Sequence, residues 1–220
     1  MPSRLLERLS PADRAKLDKV AEVNSYAAGE MLVSHLGDQN NVFIVHSGLA
    51  RVTIFSQQGR PVTYRDIGAG AIFGELAAID DGPRAAGVTA VDEVVAARLS
   101  QRDFRMLMDT ADTFRWAVLE HLSGEIRRMT MRIFEFSTLT VRERLISELL
   151  RIAAENGFTE GRAEITPALT HFELATRISS HREAVSRAMS ELSKQGLIAK
   201  RMGTWVLDDL DTLRDALPED

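Results

Sequence analysis

The proline-free stretch from Thr110 to Phe136 constrains the fold of this chain more than any other feature. A single glycine, Gly124, interrupts it, and apolar side chains recur in steps of three and four residues, the spacing of one helix face. This apolar seam consists of Phe114, Val118, Leu122, Ile126, Met129, Ile133 and Phe136. The pattern predicts one long helix over Thr110–Phe136.

A helix of this length spans roughly 40 Å, which is more than the width of a domain of about 110 residues. Part of the seam should therefore meet a second copy of the chain, and a parallel two-fold homodimer is the simplest arrangement. The alternative is that the seam lies on the β domain of its own chain.

The residues before the long helix have the pattern of a β domain. Short runs of β-branched and aromatic residues are separated by glycines 29, 37, 48, 59, 68 and 70. The predicted strands lie in Met31–Val33, Val42–Val45, Ala50–Phe55, Val62–Tyr64, Val88–Val91 and Val94–Leu99. About eight strands with such turns are typical of a double-sheet jelly roll or barrel. Two short helices between Ser3 and Val20 should precede the strands, and Ser100-x-x-Asp103 should begin a helix after them.

Composition excludes several classes of site and protein. The chain has no cysteine, so disulfides, thiolate zinc sites, cysteine-ligated iron–sulfur clusters and cysteine nucleophiles are impossible. Its five histidines show no metal-binding spacing, and we expect no metal. With 45% hydrophobic residues, no long apolar run and no signal-peptide pattern, the chain should be cytoplasmic and not bound to a membrane.

The segment Phe73–Ala90 has the residues needed to hold a charged small molecule. Gly74 permits close backbone approach, and the run after it can form one helical turn with exposed amide groups. These amides and the guanidinium of Arg84 suit a phosphate. Glu75 would repel that anion unless it accepts hydroxyl hydrogens, which the sugar of a nucleotide supplies. The alternative is a hairpin loop with a surface Arg–Glu pair.

The second constellation is a helix pair between Thr170 and Gly196. Thr170-x-x-Glu173 and Ser180-x-x-Glu183 are predicted to cap two short helices, and the short distance between the two caps is typical of a helix-turn-helix. The segment between Thr170 and Gly203 contains six basic residues and three glutamates, a local excess of positive charge, although the whole chain has a net charge of −5. Such local positive charge suits DNA. The alternative for Glu183 and Arg187 is an i,i+4 pair on a solvated face.

The sequence around these helices predicts an α+β fold with three parts. Leu197–Leu207 predicts a winged hairpin whose Lys200 and Arg201 can touch phosphate. The hydroxyl-rich run Ser137–Thr140 predicts a hinge. We expect a β jelly-roll domain over 1–109, a dimerisation helix over 110–136 and a winged helix-turn-helix over 137–220. Residues 158–164 predict a polar loop.

The motif Phe73-Gly74-Glu75-Leu76-Ala77, followed by Pro83-Arg84-Ala85-Ala86 and Val88, resembles the phosphate-binding cassette of cyclic-nucleotide-binding domains. The resemblance implies that Glu75 takes the ribose hydroxyl and Arg84 the cyclic phosphate. Ala85 is similar to the residue at this position in eukaryotic kinase regulatory subunits and favours cyclic AMP; a threonine there is associated with cyclic GMP, which stays possible. The implied ligand residues in the cassette are Phe73, Gly74, Glu75, Leu76, Ala77, Arg84 and Ala85.

Ser180-His181-Arg182-Glu183-Ala184-Val185-Ser186-Arg187 resembles the recognition helix of the cyclic-AMP receptor protein/FNR (CRP/FNR) family of bacterial transcriptional regulators. The resemblance makes Arg182, Glu183 and Arg187 the base readers, and Ser186 matches the FNR branch, whereas His181 departs from the usual serine. The full set expected at DNA is Thr170, His171, Ser180, His181, Arg182, Glu183, Ser186, Arg187, Lys200 and Arg201.

In that family the long helix is the dimer axis, and polar residues midway along it reach the base of the nucleotide. Alignment on Leu139-x-Val141 places Met129 and Thr130 there, with Met129 replacing a usual hydroxyl residue. The resemblance implies no enzyme activity, a palindromic DNA site with a TGA-type half-site core, and contact with RNA polymerase. Two alternatives stay open: a regulator of this family with a repurposed or ligand-independent pocket, and a cyclic-nucleotide-binding module of a non-DNA system.

Overall fold

The computed structural model describes residues 5–37, 40–56, 61–156, 158–159 and 161–218. The chain divides after Met129 into two compact units. The first unit begins with a 3-10 turn at Leu5–Arg8 and continues through α1 (Pro11–Val20), β1 (Glu22–Tyr26), β2 (Met31–Val33), β3 (Val42–Ser47), β4 (Ala50–Phe55), β5 (Pro61–Ile67), β6 (Ile72–Phe73), α2 (Glu75–Asp80), β7 (Gly87–Ala90), β8 (Val94–Leu99) and α3 (Gln101–Thr110).

The long helix α4 (Asp112–Thr138) supplies residues to both units. The elements that follow it are α5 (Val141–Asn156), β9 (Phe158–Thr159), β10 (Arg162–Ile165), α6 (His171–Arg177), α7 (Arg182–Lys194), β11 (Ile198–Arg201), β12 (Thr204–Leu207) and α8 (Leu210–Asp215).

The β strands of the first unit form two four-stranded antiparallel sheets, with the orders β1-β8-β3-β6 and β2-β7-β4-β5. Buried side chains from both sheets, including Phe43, Val45 and Val88, share one apolar cluster. This is the predicted double-sheet roll, and the α+β fold class is confirmed. Because α2 follows β6 of one sheet and precedes β7 of the other, the candidate ligand segment lies where the chain crosses between sheets.

In a second apolar cluster of the first unit, helices pack on one face of the β1-β8-β3-β6 sheet. Ile44 and Leu99 from the sheet pack with Phe104 of α3 and Phe114 and Val118 of α4, all fully buried. The start of α3 is as predicted: the Ser100 side chain accepts a hydrogen bond from the Asp103 amide. The helix α4 begins at Asp112 and not at Thr110, because α3 continues to Thr110 and Ala111 separates the two helices.

All six predicted strands of the first unit are present, and the sequence patterns missed β1 and β6. The residues of β1 are almost all exposed, so its sequence Glu-Val-Asn-Ser-Tyr lacks a clear apolar alternation. The strand β6 has two residues, too few for a periodic signal. The predicted turn at Gly59 lies outside the described residues.

The predicted seam along α4 is covered by its own unit in the first half of the helix. Phe114 and Val118 are fully buried in their own unit, and Leu122 packs against the same cluster, which is the arrangement of the alternative prediction. The exposed apolar side chains of α4 include Trp116 and Leu119, which were outside the predicted seam, and Ile126 and Ile133, which belong to it. We call these four residues the α4 stripe.

In the second unit, helices pack on a four-stranded antiparallel sheet with the order β11-β12-β10-β9. One cluster joins Leu145 of α5, Leu174 of α6, Val185 of α7 and Trp205 of β12. The segment 158–164, predicted to be a polar loop, contains β9 and part of β10; residue 160 lies outside the described residues. None of the helices in the described ranges is long and apolar enough to cross a membrane.

Candidate ligand site and nucleic-acid interface

The backbone at Gly74 has the tight geometry that the sequence predicted. Gly74 has a φ of +86° and is the cap residue before α2. A Cβ atom there would lie 2.7 Å from the Asn41 carbonyl oxygen and 2.8 Å from Nη1 of Arg84. Both the positive φ and the close contacts therefore require glycine.

Arg84 is held against this turn by the backbone. Its Nη1 donates to the Gly74 carbonyl oxygen at 2.9 Å and its Nη2 donates to the Asn41 carbonyl oxygen at 2.8 Å. Burial lowers the pKa of Arg84 and the nearby charge of Glu75 opposes that shift, but a guanidinium stays protonated in proteins. The result is a positioned cation on the wall of a cavity of about 490 Å³, which Tyr26 and Arg98 also line.

Glu75, the first residue of α2, is only 6% exposed. Its Oε1 lies 3.6 Å from Nε2 of His121 on α4. Glu75 and Arg84 are therefore not the surface ion pair of the alternative prediction, since the acid is buried and the guanidinium donates to two carbonyl groups. A buried carboxylate beside a fixed guanidinium fits a ligand with hydroxyl groups and a phosphate.

A cluster of charged side chains continues from Glu75 and His121. Glu125, one turn after His121, accepts a hydrogen bond from the Tyr64 hydroxyl at 2.9 Å and bonds with Arg65 and Arg128. Burial by itself raises the pKa of Glu125, but the hydrogen bond from Arg128 and the charge of Arg65 outweigh it and lower the pKa. Burial and the charge of Glu125 raise the pKa of Tyr64.

Sequence reasoning missed this cluster, which joins α2, β5 and α4. The local signals were the i,i+3 spacing of Glu125 and Arg128 and the i,i+4 spacing of His121 and Glu125. His121, Tyr64 and Arg65 meet through tertiary contacts.

The other predicted ligand residues have different environments. Phe73 is buried and its ring stacks on Phe43 with a centroid distance of 5.1 Å, and Ala77 is buried as well. Leu76 and Ala85 are exposed. Met129 and Thr130 are also exposed, on the two sides of the division between the units. Phe73 and Ala77 thus support the shape of the site from the core, and the roles of the exposed four stay predictions.

The predicted helix-turn-helix is formed by α6 and α7. Thr170 and Glu173 make a reciprocal capping box, as predicted. The predicted cap at Ser180 was wrong: α7 begins at Arg182, the cap residue is His181, and no side chain caps the helix. Ser180 is buried in the turn, where its amide donates to the Ala175 carbonyl oxygen at 2.9 Å, because Ser179 adopts a φ of +48°.

The predicted base readers are available to a partner. Arg182, Glu183 and Arg187 are exposed on α7, and so are Lys200 and Arg201 on the β11–β12 hairpin. The hairpin turns at Met202 and Gly203, which both have a positive φ, as a two-residue turn between antiparallel strands requires.

A contact network joins the hairpin to the two helices. His171 shares a hydrogen bond of 2.6 Å between its Nδ1 and the Ser186 Oγ, and its ring stacks on Trp205. Lys200 Nζ lies 5.3 Å from the centroid of the Trp205 ring on the wing. Burial, followed by the charges of Arg182 and Lys200, lowers the pKa of His171. The contacts of Trp205 with His171 and Lys200 were not predicted, because the sequence marks a tryptophan in a strand only as a core residue, which Trp205 also is.

Arg177 does not contribute to the basic surface. It is 4% exposed, and its Nη1 lies 3.3 Å from Oε1 of Glu148. The same glutamate bonds with Arg132 at 3.1 Å and with Arg151. The local excess of basic residues counted from the sequence was therefore too large by one.

Comparison with known proteins places both sites in family domains. The model of the cyclic nucleotide-binding domain matches residues 23–111, and that of the Crp-like helix-turn-helix domain matches residues 143–216. The chain belongs to the CRP/FNR family. As a CRP/FNR protein it is a CRP-like, cyclic-nucleotide-responsive transcriptional regulator, and members of this family are regulators and not enzymes.

Individual relatives agree with this assignment. A "CRP-like cAMP-activated global transcriptional regulator" of Mycobacterium tuberculosis is 24% identical over 95% of this chain and 94% of its own length. A crystal structure of a CRP/FNR-family regulator from Thermus thermophilus has a TM-score of 0.72 and 26% identity, covering 88% of this chain and 97% of that one. The cAMP-dependent protein kinase regulatory subunit of Mycosarcoma maydis is 38% identical over 47% of this chain and 21% of its own length.

Proposed function

We propose that this CRP/FNR protein is a homodimeric DNA-binding regulator controlled by cyclic AMP. The observation that carries the ligand half is that a buried carboxylate, Glu75, lies within charge range of the Arg84 guanidinium, which the Gly74 and Asn41 carbonyl groups hold in place. Arg84 binds the cyclic phosphate and Glu75 accepts from the ribose hydroxyls. Ala85 favours cyclic AMP over cyclic GMP, and the mycobacterial and kinase relatives named for cAMP support that choice.

The DNA half rests on the exposed face of α7. Arg182 and Arg187 can read guanine with two hydrogen bonds each, and Glu183 can accept from cytosine. Lys200 and Arg201 on the hairpin hold phosphates. We expect a palindromic site with a TGA-type core in each half, and RNA polymerase as a further partner.

The homodimer is supported by the α4 stripe. Trp116, Ile126 and Ile133 are 64%, 65% and 67% exposed, and the spacing from Leu119 through Ile126 to Ile133 is heptad spacing. Large apolar side chains exposed in a row mark an interface, and pairing of two α4 helices along this stripe buries them.

Control by the ligand is a shift between two populations of the dimer. The nucleotide favours the state in which it binds more tightly, and only that difference in affinity changes DNA binding. In the favoured state the two recognition helices stand about 34 Å apart, one turn of DNA.

The test of the ligand half is calorimetry of the full chain with cyclic AMP and with cyclic GMP. We expect heat of binding with cyclic AMP, weaker binding with cyclic GMP, and at least about a tenfold loss of affinity in Arg84→Ala, since bonds to charged groups contribute about 1.5–3 kcal/mol. Arg102→Ala, an exposed arginine on α3, is the matched control and should bind as the wild type does.

A second candidate is a CRP/FNR regulator with a ligand-independent pocket. It is favoured by the cluster of Glu125, Tyr64 and Arg65, whose polar groups bond with one another beside Glu75. The same titration separates the two: no heat with either nucleotide would support this candidate and contradict control by a cyclic nucleotide, leaving DNA binding intact.

A further inference from the structure

His121 occupies an unusual position on the buried side of α4. Its side chain is 5% exposed, and its Nε2 lies 3.6 Å from Glu75 and 3.9 Å from Glu125. One carboxylate comes from the candidate ligand segment and the other from the same helix. Histidine is the side chain that ordinarily changes charge between about pH 5 and 8.

The two carboxylates beside His121 are neutralised to different degrees. Glu125 bonds with Arg65 and with Arg128 and accepts from the Tyr64 hydroxyl. Glu75 faces His121, and Arg84 acts on it through its charge while donating to the Gly74 and Asn41 carbonyl groups. The imidazole thus faces both carboxylates, and its charge also helps to lower the pKa of Glu125.

Glu75 is also the group that the proposed function assigns to the ribose hydroxyls. A carboxylate that accepts those hydroxyls must keep its oxygen atoms aimed at the ligand, and Nε2 of His121 on α4 lies 3.6 Å from Oε1 of Glu75. A cyclic nucleotide brings one further negative charge to this site. An added negative charge favours the protonated imidazole over the neutral one.

We propose that His121 is a positioning residue of the ligand site, which orients Glu75 for the ribose and couples nucleotide binding to uptake of a proton. This inference rests on the proposed function. By linkage, a ligand that binds together with a proton binds more tightly as pH falls. If nucleotide binding moves the midpoint of the linked protonation by one pH unit, the affinity for the nucleotide changes by up to about tenfold.

The experiment is calorimetry of the full chain with cyclic AMP at pH 6, 7 and 8, in phosphate and in imidazole buffer, whose ionisation heats differ. For the wild type we expect Kd to be about 3–10-fold lower at pH 6 than at pH 8, and the difference in heat between buffers should show net proton uptake. His121→Gln keeps an amide donor but cannot titrate, so its Kd should equal the wild-type value at pH 8 and stay there at pH 6.

Two further variants separate positioning from packing. His121→Leu removes the donor and should weaken binding at every pH, and recovery of the pH 8 affinity in His121→Gln shows that the hydrogen-bonding group is what matters. His46→Gln, a half-buried histidine on β3 outside the cluster, is the matched control and should keep the wild-type ratio between pH 6 and pH 8.

The outcomes separate this inference from the proposed function. Equal wild-type affinity at pH 6 and pH 8, or an unchanged pH ratio in His121→Gln, overturns the role of His121 while cyclic-nucleotide binding stands. No binding at any pH contradicts the proposed function itself. If the variants do not fold, proton NMR of the wild type decides: the titration midpoint of the His121 Hε1 resonance should move to higher pH with cyclic AMP, and an unmoved midpoint overturns the proposal.

Discussion

Asp13 shows how one side chain fixes the start of a helix far away in the sequence. This residue of α1 accepts hydrogen bonds from the amide and hydroxyl groups of Thr113 at 3.0 and 2.6 Å, near the beginning of α4, and from Lys16 at 2.9 Å. The Thr113 hydroxyl, followed by Lys16, lowers the pKa of Asp13 to about 2 from an ordinary 3.8. The depressed pKa means that the charged carboxylate stabilises the fold above about pH 4 and that this stability is lost as pH falls through about 2.

Asp13→Asn should therefore lower the melting temperature at pH 7, because the amide keeps the shape but loses the charge-assisted bonds. The gap between variant and wild type should shrink as pH falls from 4 toward 2, when the wild-type carboxylate is protonated. Thermal unfolding followed by circular dichroism measures both. Asp18→Asn, which breaks an exposed pair with Arg14, is the control and should change little; a gap for Asp13→Asn that is constant with pH would contradict the assignment.

The proposed DNA interface is divided between two elements, the recognition helix α7 and the β11–β12 hairpin. We propose that the side chains of α7 enter the major groove, and that Lys200, which lies beside the ring of Trp205, contacts the backbone of the duplex. Base contacts specify the site and phosphate contacts position the protein, so substitutions in the two elements should differ in kind.

Arg187→Ala should reduce discrimination between the selected site and random DNA by about 1–3 kcal/mol, because a bidentate contact to guanine is lost. Lys200→Ala should weaken binding to both duplexes alike and reduce the salt slope by about one. Fluorescence anisotropy over a series of salt concentrations measures these effects. Lys194→Ala, an exposed residue in the last turn of α7, is the matched control, and equal losses on both duplexes from Arg187→Ala would argue against base reading.

At the scale of the whole molecule, each unit has its own apolar core, and the first half of α4 packs into the core of the first unit. The described contacts of α4 cover Phe114 and Val118 but leave the α4 stripe exposed. A regulator that reads a palindrome needs two copies, so the assembly of the protein should depend on this stripe.

Ile126→Glu should convert the dimer to a monomer at micromolar concentration, since it buries a charge in the middle of the apolar contact. Sedimentation equilibrium measures the change. Met131→Glu is the matched control: this exposed residue lies on another face of α4 and should leave the dimer intact. Dissociation by both substitutions, or by neither, would show that the stripe is not the interface.

Much of the architecture could be predicted from the sequence because its signals are local. The capping box at Thr170 and the left-handed turn at Gly74 each depend on a few neighbouring residues. Predictions failed where the deciding contact is distant. The sequence pattern assigns Arg177 to the basic surface, but its pairing with Glu148 of α5 buries it, and Ser180 is buried in the turn by contacts that the sequence does not reveal.

The sequence by itself determined the order of the domains, the long α4 helix, and the motifs that contain Glu75, Arg84 and the α7 residues. Periodicity, caps and motifs can be recognised because each depends on residues that are close together in the sequence. Only the tertiary structure decided which face of α4 is covered and which is exposed to solvent. It also brought His121, Glu125 and Arg65 to the side of Glu75. The physical reason is that a helix carries its apolar pattern wherever it lies, whereas its rotation and its ion pairs are fixed by partners distant in the chain.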